Sequence, residues 1–162
     1  MVKLKVVVYP NPILTKKAEL VRKIGENEKR LIRQMIQTMH DEGGVGIAAP
    51  QVGVSKRIFI ASPETKNGTE MVFINPVIFK SSGDQIDLEG CLSLPGISGE
   101  VRRFKKIEFE YMNEGGKVVQ GKALDFLARI FQHELDHLDG KLLIDRVDFD
   151  QRQALLSEYQ RL

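Results

Sequence analysis

The chain has 162 residues and a formal net charge of +2, with 24 basic and 22 acidic residues. A chain of this length can bury one hydrophobic core without disulfides, and its one cysteine cannot form an internal bridge. No basic stripe indicates a nucleic-acid surface, no apolar run approaches the roughly eighteen residues that span a bilayer, and the start of the chain lacks the apolar core of a signal peptide. We therefore expect a single domain, residues 1–162, in a reducing cytoplasm.

Two segments near the amino terminus have clear local patterns. Residues 6–12 (VVVYPNP) predict an extended segment that two prolines end. Residues 27–41 predict an amphipathic core helix, followed by a stop at residues 43–44, because apolar side chains recur at helical spacing. These side chains are Leu31, Ile32, Met35, Ile36 and Met39. His40, at the end of this helix, has no partner at ligand spacing and is expected to be a cap or a surface residue.

The middle of the chain is rich in short β-type segments. Strands are predicted at residues 57–61, 71–74, 107–111 and 117–119, with turn sequences between them. The turn at residues 113–116 (NEGG) should join the last two strands as a hairpin.

The last part of the chain predicts two helices. One runs from about residue 124 to 138 and is stopped by Gly140. Its apolar side would carry Phe126, Leu127, Ile130 and Phe131. The tail, residues 148–162, predicts a short helix that docks on the core, with a partner surface as the alternative. The order helix, strands, helix is typical of an α+β fold and disfavours an alternating nucleotide-binding fold.

Two histidines lie four residues apart in the second helix, at His133 and His137, and Glu134 directly follows the first. Positions i and i+4 share one helix face, so both imidazoles can bind a single metal ion. Glu134 would project close to the metal without binding it, which suits a general base acting on water. The same pattern also arises by chance in charged helices. A catalytic site usually has three protein ligands and an open position, so one ligand is still to be found.

Cys91 is one candidate for that third ligand, and an acid is the other. It lies between a strand-like segment and a Pro-Gly turn at residues 95–96, so it should occupy a strand end or a turn. A thiolate there could complete a tetrahedral Cys/His/His site with one open position. A buried apolar cysteine and a nucleophile paired with a histidine are the alternatives.

Residues 43–53 (GGVGIAAPQVG) form a small-residue segment. Glycine and alanine permit close approach of a ligand to the main chain, and Gln51 offers a neutral amide that could donate to a developing oxyanion. The alternative is a helix cap followed by a tight loop. The segment does not match a dinucleotide fingerprint, which needs a preceding strand.

Three segments together resemble, in order and spacing, the signature motifs of the peptide deformylases. They are residues 44–51 (GVGIAAPQ), 89–93 (EGCLS) and 132–137 (QHELDH). The similarity extends from about Val8 to Leu143. This resemblance implies one catalytic deformylase domain of α+β class, in which antiparallel strands pack around a central metal-binding helix, with an amino-terminal core helix and a short carboxy-terminal helix.

The resemblance also implies a reaction and a metal. Members of this family remove the formyl group from the amino-terminal methionine of nascent bacterial and organellar proteins. Carried onto matching positions, Cys91, His133 and His137 would bind the metal, commonly ferrous iron in the cell and often nickel, cobalt or zinc in purified protein. Glu134 would act as base and then as acid, and the formyl oxygen would be stabilised by Gln51 and the Leu92 backbone N–H, together with the metal.

Substrate recognition is expected to rest on shape and backbone pairing. The family pattern suggests an apolar methionine pocket formed by Val45, Leu92, Phe126, Ile130 and the stem of Arg129. Backbone groups near Val45 and Gly46 and after Ser93 would pair with the peptide as an added strand, with little selectivity beyond its first residue.

Glu89 and Asp136 are expected either to orient a ligand imidazole or an arginine such as Arg103, or to form ordinary surface salt bridges. The family's task implies transient ribosome association, to which the carboxy-terminal helix could contribute. Neither nucleic-acid readout nor membrane binding is expected.

Two other kinds of protein fit the histidine pair. A zinc peptidase would need a third acidic or histidine ligand downstream, for which Asp145 or Asp148 is available by position. A binding module with a closed structural metal would need a fourth ligand, and no further cysteine or histidine lies at suitable spacing.

Overall fold

The computed structural model describes residues 3–160. In chain order the elements are helix α1 (Glu26–Asp41), strands β1 (Gly46–Ala48), β2 (Ile58–Ala61), β3 (Met71–Ser82), β4 (Gln85–Gly90), β5 (Ser98–Arg103), β6 (Lys106–Met112) and β7 (Val118–Leu124), and helices α2 (Asp125–Leu138) and α3 (Phe149–Gln160). Short 3-10 helices lie at Pro12–Thr15, Ala49–Val52 and Leu143–Asp145. The predicted α+β class is confirmed.

Two antiparallel sheets frame the molecule. One has five strands in the order β1-β2-β3-β6-β7, and the other contains β4 and β5. Strands β6 and β7 pair across residues 113–116, so the predicted hairpin is confirmed. Two strand predictions were too short, because β3 continues to Ser82 and β7 continues to Leu124.

Three strands fell outside the predicted set. Strand β1 lies in the small-residue segment, where the residue pattern indicated either a ligand-binding segment or a helix cap with a tight loop. Strands β4 and β5 form the second sheet, of which only a strand-like segment before Cys91 was foreseen. Strand β5 is hidden from a hydrophobicity pattern because its inward positions are Gly99, Val101 and Arg103.

The two main helices cover opposite faces of the large sheet. Strand β2 is buried on both sides: Phe59 and Ala61 belong to the core under α2, while Ile58 and Ile60 belong to the core under α1. Full burial of a side chain such as Phe59 contributes about 1.5–3 kcal/mol. On the other side of α2, Arg129 donates to the Val101 carbonyl of β5, so α2 lies between the large sheet and the small one.

The predicted helices are confirmed to within one or two residues. Helix α1 begins after Gly25, whose N–H donates to Glu28, and the Gly44 N–H bonds to the Met39 carbonyl at its end. His40 lies in the last turn, half-buried, and pairs with Glu70 at 2.6 Å. It does not belong to the group of potential metal ligands found within residues 3–160.

Helix α3 docks on the core as predicted, through Leu155, which is buried, and through Leu156 and Tyr159, which pack beside it. The last two residues of the predicted tail helix, 161–162, lie outside the described residues. No helix within residues 3–160 is long and apolar enough to cross a membrane.

Candidate metal centre and catalytic cavity

Three side chains that could bind a metal ion converge at α2. His133 and His137 project from the helix, and Cys91 lies in the turn after β4, as expected. Cys91 Sγ is 3.4 Å from His137 Nε2, which is 3.3 Å from His133 Nε2. The three donor atoms all lie within 4.8 Å of one another. One thiolate and two imidazoles form a donor set that suits a divalent transition metal and leaves a position open.

No further acid joins this group within residues 3–160. Asp145 is engaged by Arg152 and by the Leu142 N–H, and Asp148 accepts a bond from the Gln151 N–H. The ligand set of a zinc peptidase with a downstream acid, and that of a closed four-ligand site, are therefore not formed here.

Glu89 orients the first histidine. Its Oε1 is 2.7 Å from His133 Nδ1, which directs Nε2 of the same ring toward the other donors. Arg103 donates two hydrogen bonds to this carboxylate, from Nε and from Nη2, both at 2.8 Å. Burial opposes the negative charge, but the bonds from Arg103 and His133 outweigh it and hold the pKa of Glu89 well below its ordinary range. Glu89 is therefore a charged carboxylate that is held in place behind His133.

The same network continues behind α2. Asp136 receives Arg103 Nη1 at 2.6 Å and is held from outside by two bonds from Arg146. Arg129 Nη1 bonds Glu89, and the pKa of the Arg103 guanidinium is raised because its two anionic partners outweigh burial. Glu89 and Asp136 were expected either to orient a ligand imidazole or an arginine, or to form surface salt bridges. The structure shows the first arrangement, in a buried network.

Glu134 lies beside His133 and is only 4% exposed. Its Oε2 is 4.0 Å from His133 Nε2, and its Oε1 has no hydrogen-bond partner within the part of the chain that the structure describes. Burial raises the pKa of Glu134 to about 7, although the charge of His133 opposes the rise. A carboxyl group of this kind can both accept and donate a proton near neutral pH.

Gln51 reaches the site from the 3-10 helix Ala49–Val52. Its Oε1 accepts the Ala48 N–H at 2.9 Å, so its Nε2 is turned toward the other side, 3.2 Å from Ser93 Oγ and 3.6 Å from Cys91 Sγ. The amide therefore presents its donor beside the Cys91 sulfur. No role was expected for the Ser93 side chain, whose only signal in the sequence is its place at the end of the motif at residues 89–93.

A cavity of about 390 Å³ opens in front of the donor group. Among the residues that line it are Val45, Gly46, Leu92, Phe126, Arg129 and Ile130. Phe126 is 50% exposed, so it belongs to the cavity wall and not to the buried side of α2 where the sequence pattern placed it. Leu88 of β4, and Leu94 and Ile97 of the turn between β4 and β5, add apolar lining that a pattern centred on three motifs does not reveal.

Known proteins share both this sequence and this fold. The family described as polypeptide deformylase matches residues 3–153. The chain belongs to the polypeptide deformylase family. It is 41% identical to a peptide deformylase of Thermodesulfovibrio yellowstonii over 154 residues, which cover 94% of this chain and 93% of the relative. It is 48% identical to a peptide deformylase of Halothermothrix orenii over 138 residues, covering 85% and 88% of the two chains.

A solved deformylase structure supports the same conclusion. The crystal structure of a peptide deformylase from Legionella pneumophila matches with a TM-score of 0.94 and 34% identity, covering 99% of this chain and 95% of that one. The chain is thus a hydrolase with the deformylase fold, and its Cys/His/His group is a site at which a metal can bind.

Proposed function

We propose that the protein removes the formyl group from the amino-terminal formyl-methionine of nascent polypeptides and releases formate. Residues 1–162 act as one catalytic domain. The observation that carries the proposal is the convergence of three side chains that could bind a metal, a buried carboxyl group and a side-chain amide on one apolar cavity.

Cys91, His133 and His137 would hold the metal. Ferrous iron is the expected ion in the cell, and Zn²⁺, Ni²⁺ or Co²⁺ can take its place in purified protein, because thiolate and imidazole ligands accept all four. When bound, the metal ion supplies Lewis acidity, which polarises the formyl carbonyl and lowers the pKa of water. Glu89 keeps the His133 ring oriented toward it.

Glu134 carries the proton. It removes a proton from the attacking water and then delivers it to the nitrogen of the departing amine, so that formate and a free amino terminus result. Three features of Glu134 support both steps: its burial, its pKa raised to about 7, and its Oε1, which has no hydrogen-bond partner among residues 3–160. One carboxylate is enough because the two proton transfers follow each other.

Gln51 and Leu92 stabilise the oxygen on which negative charge grows. The Gln51 Nε2 lies beside Cys91, and its direction is set because Oε1 is already bonded to the Ala48 N–H. The Leu92 backbone N–H follows the ligand directly in the chain and supplies a second donor. Such donors, arranged before reaction, typically change kcat by about 10²–10³.

The methionine side chain occupies the apolar part of the cavity. Val45, Leu92, Phe126 and Ile130 offer apolar contact, and Arg129 adds its aliphatic stem because its guanidinium is held by Glu89 and the Val101 carbonyl. The backbone at Val45 and Gly46 pairs with the peptide as an added strand. This mode of binding depends little on side chains beyond the first residue.

The partners follow from this task. The protein acts on nascent chains in the bacterial cytoplasm, with no nucleic-acid readout and no membrane. Helix α3 is the proposed contact for transient ribosome association. Because Leu155 buries α3 against the core, the test replaces the exposed Gln153 and Glu158 with alanine, and unchanged co-sedimentation with ribosomes rejects the contact.

Formate release from a formyl-methionyl tripeptide tests the function. The protein is purified without oxygen and assayed before and after chelation and re-addition of Fe²⁺ or Ni²⁺. Release that chelation abolishes and metal restores is the expected result, and no release from fully metallated protein rejects the proposal. Glu134→Gln should keep the metal and lose about 10²–10⁴ in kcat, whereas Cys91→Ser should lose both metal and activity.

A further inference from the structure

The amino-terminal segment before Pro10 joins two separate parts of the candidate site. The Val7 N–H donates to the Gln51 carbonyl at 2.8 Å, and the Tyr9 N–H donates to the Ser93 carbonyl at 2.9 Å. The 3-10 helix with Gln51 and the turn with Cys91 and Ser93 belong to distant parts of the sequence. One short piece of chain therefore fixes how far apart they lie.

These two parts carry both proposed oxyanion donors. Gln51 presents its amide, and the turn presents the Leu92 N–H next to Cys91. The parts meet directly where Gln51 Nε2 donates to Ser93 Oγ at 3.2 Å, so a shift of either one changes the position of the amide relative to the thiolate. Displacements of about 1 Å in such groups can cost on the order of 10²-fold in rate.

Helix α3 fastens this segment from outside. The Tyr159 hydroxyl donates to the Tyr9 carbonyl at 2.6 Å, and the two rings contact edge to face with centroids 6.0 Å apart. Tyr9, Tyr159 and Cys91 pack in the same apolar cluster. The helix itself sits close on the small sheet, where a β-carbon added at Gly99 would be 2.9 Å from Leu155 Cδ1.

We propose that Tyr159 is a positioning residue: through the Tyr9 carbonyl it holds the amino-terminal segment against Gln51 and Ser93, and so sets the placement of the Gln51 amide and the Cys91–Leu92 turn. The proposal rests on the proposed function for its catalytic consequence. Tyr159 does not line the cavity, so its effect passes through Tyr9 and Ser93.

Tyr159→Phe tests this role because it removes one hydroxyl and keeps the ring contact. The expected result is a fall in kcat of about threefold to tenfold with KM unchanged, because the reacting geometry loosens while the cavity remains. In Ni²⁺- or Co²⁺-loaded protein, the thiolate-to-metal absorption band of Cys91 should shift. Tyr159→Leu, which also loses the ring, should shift both quantities further.

Thr38→Val is the matched control. It also removes one hydroxyl hydrogen bond, from Thr38 Oγ1 to the Gln34 carbonyl, but in α1 and away from the cavity. Its kcat and absorption band should equal those of the parent protein. Parental kcat and an unshifted band in Tyr159→Phe would overturn the proposal. If the parent protein itself releases no formate, the proposed function fails, while the absorption band still decides the positioning role.

Discussion

Gly46 and Glu134 approach so closely that a β-carbon on Gly46 would lie 2.6 Å from Glu134 Oε2. The neighbouring Cδ and Cγ of Glu134 would lie at 3.0 and 3.1 Å, so the Oε2 side of the Glu134 side chain packs on the backbone of β1. The glycine is needed here for space, because strand β1 holds it in pairing with Ala61. We expect Gly46→Ala to push the carboxyl group away from its present position.

The measurement for Gly46→Ala is kcat alongside metal content. The fall in kcat should be about 10- to 100-fold, because a carboxyl group displaced by part of an ångström is misaligned for proton transfer. Metal content should stay at the parental level, since none of the three ligands is touched. Gly25→Ala is the control, because its β-carbon would meet Glu28 Oε1 at an ordinary 3.5 Å. Loss of metal from Gly46→Ala would contradict this explanation.

Glu89→Gln should weaken metal binding. The substitution leaves Arg103 and Arg129 without their shared anion and replaces the carboxylate that orients His133 with a neutral amide. We expect metal affinity to fall about 10- to 100-fold and the free energy of unfolding to fall by about 3 kcal/mol. Competition with a chromogenic chelator and denaturant unfolding measure the two effects.

The control for Glu89→Gln is Glu108→Gln. Glu108 pairs with Lys80 and Lys122 at 3.7 and 3.9 Å, and both lysines are largely exposed. Glu108→Gln should lower the free energy of unfolding by less than about 1 kcal/mol and leave metal affinity unchanged. Equal effects of the two substitutions would mean that the buried network does not support His133.

Phe126→Ala should lower selectivity for methionine without unfolding the protein. Phe126 lines the cavity yet is 50% exposed, so it contributes more to ligand contact than to the core. We expect kcat/KM for a formyl-methionyl peptide to fall about tenfold, and that for a formyl-alanyl peptide to change much less. Phe149→Ala is the control, because Phe149 is 73% exposed and lies outside the cavity lining. Parallel losses on both peptides would contradict a role in side-chain recognition.

Glu28 should make the stability of the fold depend on pH in the acidic range. Its carboxylate accepts bonds from Lys56 and from the Gly25 N–H at the start of α1, and these lower its pKa from 4.5 to about 2. A lowered pKa in the folded state stabilises the protein fully above about pH 4.5, and this stabilisation is lost as the pH falls toward 2. Melting temperatures of the parent and Glu28→Gln should differ most above pH 4.5 and converge near pH 2. A difference that stays constant with pH would contradict this linkage.

Local patterns determined most of the secondary structure. The apolar spacing of α1 and the run from Leu124 to Leu138 gave both main helices, because one side of each must face a core. The pattern fails at β5, where Arg103 takes an inward position. A buried arginine is stable there only because Glu89 and Asp136 come from other elements to neutralise it, and no local window contains all three.

Sequence motifs also determined which residues are candidate metal ligands and which family the chain resembles. The i, i+4 spacing of His133 and His137 follows from helix geometry alone. That Cys91 joins them depends on how β4 and β5 pack against α2, which brings a turn far away in the chain to within 3.4 Å of His137.

Only the tertiary structure decided how the site is supported. The contacts of the Gln51 amide with Ser93 and Cys91, the contact between Gly46 and Glu134, and the link from Tyr159 through Tyr9 to Ser93 all join residues that lie far apart in the chain. Such contacts arise when sheets and helices pack at close range, and their geometry depends on every element involved. The chemistry of the site is therefore readable in three short motifs, whereas its orientation is a property of the whole fold.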